Sequence, residues 1–217
     1  MKYETFIFDL DGTLLDTLAD LASAVNYALE KNGYPLRSID EVREFIGNGV
    51  VNLMERAIGL PKESVENFEK TFSDFKRYYG ENCMVQTKLY DGIEKVLLVL
   101  QEKGKKCAIV SNKADFAVKL LNEAYFKGLI GVAIGENEAA GIKKKPAPDS
   151  VLIALKELGT GKENAVYVGD SEVDVQTAKN AGLPCLSVAW GMKTREFLEN
   201  HGAETVLDNP LELLKYV

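Results

Sequence analysis

Five short runs of nearly unbroken apolar residues most restrict the folds open to this chain: Thr5–Leu10, Cys107–Val110, Leu129–Ile134, Ala165–Val168 and Cys185–Ala189. None alternates polar with apolar residues, so each reads as a strand buried on both faces, as in a parallel sheet covered by helices. Segments with helical spacing lie between them, at Gly92–Glu102, Phe116–Ala124, Ser150–Leu158 and Val173–Ala181. Gly104, Gly159 and Gly182 follow three of these, where glycine readily ends a helix. The alternation predicts a Rossmann-like parallel sheet of the α/β class, joined by right-handed crossovers.

The pattern breaks between about Leu15 and Val85, where no strand is legible. Leu18, Leu21, Ala22, Val25, Ala28 and Leu29 form a helical stripe. Ser38-Ile-Asp-Glu41 has the form of a capping box opening a second helix. Asn52–Ile58 and Val65–Tyr79 continue in the same style. A helical domain over residues 16–85 is therefore expected as an insertion in an α/β domain made of residues 1–15 and 86–217. Linkers are expected near Leu15–Thr17 and Val85–Asp91.

Composition removes several classes of function. A net charge of −7 and a longest basic run of only Lys143–Lys145 argue against a nucleic-acid track. No segment has the length and apolarity of a membrane span, and Met1–Gly12 lacks a signal-peptide pattern, so a cytoplasmic location is expected. Cys83, Cys107 and Cys185 lie far apart without a CxxC pair, which fits structural thiols in a reducing compartment. The single histidine, His201, reads as a solvated residue near a helix end. Chemistry must then rest mainly on carboxylates, lysines and hydroxyls.

Such groups gather at the ends of the predicted strands, the edge where open α/β sheets bind ligands. The first strand runs into Asp9-Leu-Asp11-Gly12-Thr13, where two carboxylates at i, i+2 can face one side and Gly12 permits a tight turn. The second runs into Ser111-Asn112-Lys113, which offers a hydroxyl and an amide. The fourth runs into Gly169-Asp170-Ser-Glu-Val-Asp174. A helix N-terminus explains one or two acids there; it does not explain four carboxylates on one edge. Crowded carboxylates need a counter-charge, and a hard cation with oxygen ligands supplies it. Mg²⁺ fits, whereas zinc lacks its usual histidine and cysteine ligands. Lys145, directed by Pro146 and Pro148, adds a positive group, while Lys143 and Lys144 read as surface residues.

Asp9-x-Asp11-Gly-Thr13, Ser111-Asn112, Lys145-Pro-x-Pro148 and Gly169-Asp170-x-x-x-Asp174 resemble, in order, the four signature regions of the haloacid dehalogenase superfamily. The resemblance covers nearly the whole chain and reads the inserted helices as a cap. It is closest to the phosphoglycolate phosphatase branch, through Phe45-Ile-Gly-Asn-Gly49, Leu53-Met-Glu-Arg-Ala57, Val168-Gly-Asp-Ser171, Ala178-x-x-Ala-Gly182 and Trp190-Gly191. It implies a Mg²⁺-dependent phosphatase acting on a small phosphorylated metabolite, with 2-phosphoglycolate preferred. Asp9 is then the nucleophile that forms an aspartyl-phosphate, and Asp11 the general acid and base. Thr13, Ser111, Asn112 and Lys145 hold phosphoryl oxygens. The metal is held by Asp9, Asp11 through its backbone carbonyl, Asp170 and Asp174, the last directly or through metal-bound water. Gly47, Asn48 and Gly49 belong to the cap segment over the active site; Arg43 and Arg56 read first as surface residues.

Rival readings stay open at this point. A dehalogenase of the same fold needs no general acid, so Asp11 argues against one. A phosphosugar mutase keeps both aspartates, but those considered carry an acidic residue where this chain has Gly169. A pyrophosphatase shares the pattern. A phosphate-sensing or scaffold protein would be expected to lack the nucleophile or a metal ligand, and all are present.

Overall fold

The fold, given by a computed structural model, is described for residues 2–47, 49–64, 66–137 and 140–217, with Glu63 described by its backbone alone. The chain divides into two compact units, Met1–Leu15 with Leu89–Val217, and Asp16–Lys88.

The first unit is the α/β one. Its strands are β1 (Thr5–Phe8), β4 (Lys106–Ala114), β5 (Val132–Glu136), β6 (Ala165–Gly169), β7 (Cys185–Val188) and β8 (Val206–Leu207). Its helices are α5 (Ile93–Glu102), α6 (Asp115–Tyr125), α7 (Asp149–Glu157), α8 (Glu172–Ala181) and α9 (Arg195–Asn200), with a final 3₁₀ segment at Pro210–Tyr216. The strands form one sheet in the order β5-β4-β1-β6-β7-β8, and every pair is parallel. Successive strand residues point to opposite faces, so the apolar runs feed two cores. Phe6, Phe8, Ile109, Val166 and Val168 pack on one face with Leu97 and Leu100 of α5 and Val118 and Leu121 of α6. Ile7, Ala108, Val110 and Tyr167 pack on the other with Val151 and Ala154 of α7 and Ala178 and Ala181 of α8.

β8 was not expected, and β4 and β5 depart from expectation at their ends. β5 begins at Val132 because the amides of Leu129 and Ile130 turn back to the Phe126 carbonyl. β4 runs on to Ala114, and its register against β5 shifts between Val110 and Ala114. Such an irregularity re-aims side chains, here those of Ser111, Asn112 and Lys113. β1 lies between β4 and β6, and the chain builds outward from it first on one side and then on the other. That reversal is the topological switch point where ligands bind in sheets of this kind.

The second unit contains α1 (Leu18–Lys31), α2 (Ile39–Phe45), α3 (Val50–Ile58), a 3₁₀ turn at Lys62–Ser64 and α4 (Phe68–Asn82). The whole predicted α1 stripe is buried. At α2 the Glu41 amide donates to Ser38 Oγ at 3.2 Å, and the Ser38 amide donates to Glu41 Oε2 at 2.8 Å, closing the capping box. The helix expected from Val65 starts at Phe68, and Val65 itself lies outside the described residues. The return to the sheet is tied to α1. The buried Asp20 carboxylate accepts the amides of Gln86 at 3.0 Å and Thr87 at 2.9 Å, so these residues belong with the helices and the boundary falls after Lys88 instead of Val85. The two crossings, β2 (Leu15–Asp16) and β3 (Lys88–Leu89), pair as a two-stranded ribbon. Among the described residues no helix is long and apolar enough to cross a membrane.

Candidate active site

The site is assembled at the switch point. Asp9 directly follows β1, and its amide still donates to the β6 carbonyl of Val168 at 2.8 Å. The chain then turns sharply: the amides of Leu14 and Leu15 both reach the Leu10 carbonyl at 3.0 Å, and Gly12 adopts φ +84°, open to glycine at little cost. The Trp190 indole N–H donates to the Thr13 carbonyl at 3.0 Å and pins the turn from the β7 side.

Three carboxylates converge here. Asp9, Asp170 and Asp174 are buried, and each offers an oxygen within 4.8 Å of the others. Asp9 Oδ1 accepts the Leu10 amide at 2.7 Å and pairs with Lys145 Nζ at 2.9 Å, while no hydrogen bond among the described residues reaches its Oδ2. Asp170 accepts the Met192 amide at 2.7 Å and the Thr13 hydroxyl at 3.4 Å. Asp174 Oδ1 accepts from Lys145 Nζ at 2.7 Å and the Tyr167 hydroxyl at 3.0 Å. Its Oδ2 accepts the Ser171 hydroxyl at 2.6 Å and the Ser171 amide at 3.1 Å.

Lys145 is held from both ends. Its ammonium bridges Asp9 and Asp174. Its backbone is clamped by Asn112, whose Oδ1 accepts the Lys145 amide at 2.7 Å and whose Nδ2 donates to the Lys145 carbonyl at 3.1 Å. Within the run Lys143–Lys145, Lys143 is exposed, Lys144 half-buried and Lys145 4% exposed.

Burial dominates the electrostatics. It pushes the Asp9 carboxyl up to about 7, with Lys145 opposing and Asp174 and Asp11 adding to the rise. Asp170 is driven well above the ordinary carboxylate value by burial, then by Asp174 and Asp9. Burial lowers the Lys145 ammonium, but Asp174 and Asp9 together outweigh it and its pKa lies above the usual lysine value. Counted formally as ionised, Asp9, Asp11, Asp170 and Asp174 exceed Lys145 and Lys113 by two negative charges, the excess that the raised Asp9 and Asp170 values express. A divalent cation would neutralise that excess, and the cluster offers it only oxygen ligands, which suits a hard ion. His201 is exposed just after α9, at its C-cap, stacked on Phe197, and takes no part.

The other residues singled out in the sequence fall as follows. The Asp11 carboxylate stands outside the triad and is gripped by Lys113. Ser111 Oγ accepts the Lys113 amide at 3.2 Å. The Asn112 side-chain amide clamps the Lys145 backbone, its Oδ1 accepting the amide and its Nδ2 donating to the carbonyl. Thr13 is fully buried and its hydroxyl donates to Asp170 at 3.4 Å. Gly47 and Gly49 lie in the turn before α3, both with positive φ; Asn48 lies outside the described residues. Arg43 pairs with Asp40, and Arg56 donates to the Phe45 carbonyl at 3.3 Å. Sequence reasoning missed Tyr167, which looked like another apolar position of β6, and the Met192 amide, which carries no side-chain signal. It noted Lys113 only as the end of a triplet.

Comparison with known proteins bears on the family and the fold. The family model of haloacid dehalogenase-like hydrolases matches residues 6–188. The phosphoglycolate phosphatase of Pseudomonas savastanoi pv. phaseolicola is 34% identical over 94% of this chain and 73% of its own length. That of Aquifex aeolicus is 33% identical over 96% of this chain and 94% of its own. A crystal structure of a Lactobacillus delbrueckii subsp. bulgaricus protein, provisionally designated phosphoglycolate phosphatase, superposes with a TM-score of 0.91 at 38% identity, over 98% of this chain and 97% of that one.

Proposed function

This chain belongs to the haloacid dehalogenase-like hydrolases and is a phosphatase, and we propose that it cleaves small phosphomonoesters, 2-phosphoglycolate in preference to others, with Mg²⁺ at the carboxylate cluster. The observation that carries the mechanism is Asp9: a buried carboxylate with one oxygen held by Leu10 and Lys145 and the other reached by no hydrogen bond among the described residues. Oδ2 is then the atom that attacks phosphorus. The ester P–O bond breaks as the Oδ2–P bond forms, and the leaving alkoxide takes a proton from Asp11. Water next attacks the aspartyl-phosphate, Asp11 takes the water's proton, and inorganic phosphate leaves with Asp9 restored.

When bound, Mg²⁺ supplies charge neutralisation and a ligand for a phosphoryl oxygen. Asp9 and Asp170 are the side chains proposed to hold it, with the Asp11 carbonyl. Asp174 is assigned a supporting role, because four donors already occupy the lone pairs of its two oxygens. Lys145 works against the rise that burial imposes on the Asp9 carboxyl, and so favours its ionised form, and it opposes the charge that develops on the phosphoryl group. Ser111 and the amides of the Leu10–Gly12 turn are the proposed phosphoryl donors. Substrate choice is assigned to the helical unit as a cap, through the Gly47–Gly49 segment and with Asn48 in it.

Gly169 favours hydrolysis over the mutase alternative. A Cβ there would lie 2.3 Å from Asp174 Cγ, so the acidic residue that the mutases carry has no room in this arrangement. The test is phosphate release from 2-phosphoglycolate, β-glucose 1-phosphate, pyrophosphate and simple alkyl phosphates, with Mg²⁺ and with EDTA. Asp9→Asn is expected to lose at least about 10⁴-fold in kcat. Undiminished release in EDTA or by Asp9→Asn would overturn the mechanism, and isomerisation of the phosphosugar without release would favour the mutase.

A further inference from the structure

Asp11 does not stand alone at the site. Lys113, near the end of β4, places its Nζ 2.8 Å from Asp11 Oδ1 and 3.0 Å from Oδ2. The lysine side chain is 3% exposed and the aspartate 14%. A buried ammonium needs a charged partner, because removing one from water costs several kcal/mol. The pairing is therefore enforced from the lysine's side. A two-pronged contact fixes both torsions of the short Asp11 side chain, which otherwise sits in a tight turn with part of its surface in solvent. Lys113 is itself held, since its amide donates to Ser111 Oγ at 3.2 Å within the stretch where the register of β4 shifts. The two buried lysines divide the work: Lys145 holds Asp9 and Asp174, and Lys113 holds Asp11.

We infer that Lys113 is a positioning residue that aims the Asp11 carboxyl at the leaving-group oxygen. This rests on the assignment of Asp11 as general acid made above. The alternative task for a lysine here is binding the phosphoryl group, and leaving-group chemistry separates the two. Aiming a proton donor matters when an alkoxide leaves, because it must be protonated. It matters little when 4-nitrophenolate leaves, which departs as the anion. Phosphoryl binding serves both substrates alike.

The experiment compares kcat/KM, which reports the steps through departure of the leaving group, across phosphate esters from alkyl to 4-nitrophenyl. Lys113→Met is expected to lose about 100-fold on alkyl esters and less than about 5-fold on 4-nitrophenyl phosphate. Lys113→Arg, which can still fork onto the carboxylate, is expected to recover part of the loss. In an Asp11→Asn background, Lys113→Met should cost nothing further on alkyl esters. Thermal unfolding of each variant reports its folding. Should Lys113→Met alone not fold, the Asp11→Asn/Lys113→Met pair, which removes both charges of the pair together, and Lys113→Arg carry the test. Equal losses on alkyl and nitrophenyl esters would overturn the inference. A loss for Asp11→Asn that ignores the leaving group would instead overturn the general-acid assignment on which it rests.

Discussion

The strand-end edge of the α/β unit and the surface of the helical unit hold their polar residues in opposite ways. At the edge Asp9, Asp170, Asp174 and Lys145 are all buried and bonded across long stretches of sequence, Lys145 to Asp9 and Asp174, and Asp170 to Thr13 and the Met192 amide. On the helices Arg43 bonds three residues away to exposed Asp40, and Arg56 caps a carbonyl beside a shallow depression of about 430 Å³ lined by Phe45, Glu55, Leu60 and Pro61. A buried charge must be matched, so its neighbours are dictated by the fold. An exposed one has many equivalent arrangements, each worth little. On the proposed reading chemistry belongs to the first region, and substrate discrimination, which needs only small differences in contact, belongs to the second.

Lys145→Met should sharpen that contrast most. It removes the cation between Asp9 and Asp174, and a loss of about 10³-fold in kcat is expected. Breaking a buried pair on one side also costs about 3–5 kcal/mol of stability, readable by urea unfolding. A variant with normal stability and activity would show that the edge tolerates unmatched charge as the helix surface does.

The raised pKa of Asp9 gives the next largest effect, in metal-free protein. Its folded value of about 7 exceeds the unfolded value of 3.8, so the native state holds a proton that the unfolded state has released across that window. The group's stabilising contribution is full below the unfolded value and is lost as pH rises through the folded one, by at most about 1.4 kcal/mol per pH unit. Comparing unfolding free energies of the wild type and Asp9→Asn from pH 5 to 8 in EDTA isolates this term. The wild type should lose ground to the variant up to about pH 7 and then run parallel. Saturating Mg²⁺ should flatten the difference, because binding to the native state adds stability where Asp9 is ionised. A difference independent of pH in EDTA would remove the charge crowding argued for the edge.

How much could be read beforehand follows the same division. The parallel sheet was legible because Phe6–Phe8, Ile109 and Val166–Val168 are apolar on both faces, and the α1 stripe because its burial is one-sided. β8 was not, since two residues carry no periodicity. Asp9 and Asp170 were legible as residue types at strand ends, and Lys145 as the lysine before Pro146 and Pro148. Their partners were less so: Tyr167 serves an apolar strand and a polar cluster with one side chain, and Asn112 acts through the backbone of a residue 33 positions away. Lys113 needed the register shift in β4, which no spacing announces. Gly47 and Gly49 mark the turn before α3 but carry no side chain from which a specificity could be read.

On the helical side the expected effects are small and separable. Arg56→Ala should raise KM by less than about 10-fold with kcat unchanged, as expected when binding is weakened equally in ground and transition states; a fall in kcat comparable to that of Lys145→Met would place chemistry on the helices. Ser38→Ala tests the opposite limit, structure without function. Ser38 and Glu41 satisfy each other's backbone amides at the start of α2, on an exposed surface. Losing a serine N-cap costs about 1 kcal/mol, to be read as a lowered midpoint in urea with an unchanged slope. Because the side-chain hydrogen bonds of Ser38 stay within its own turn, kcat and KM for the best substrate should stay within about twofold of wild type. A change in KM alone would mean that the α2–α3 segment senses substrate through its stability, and the two regions would then be coupled where the hydrogen bonds show only local closure.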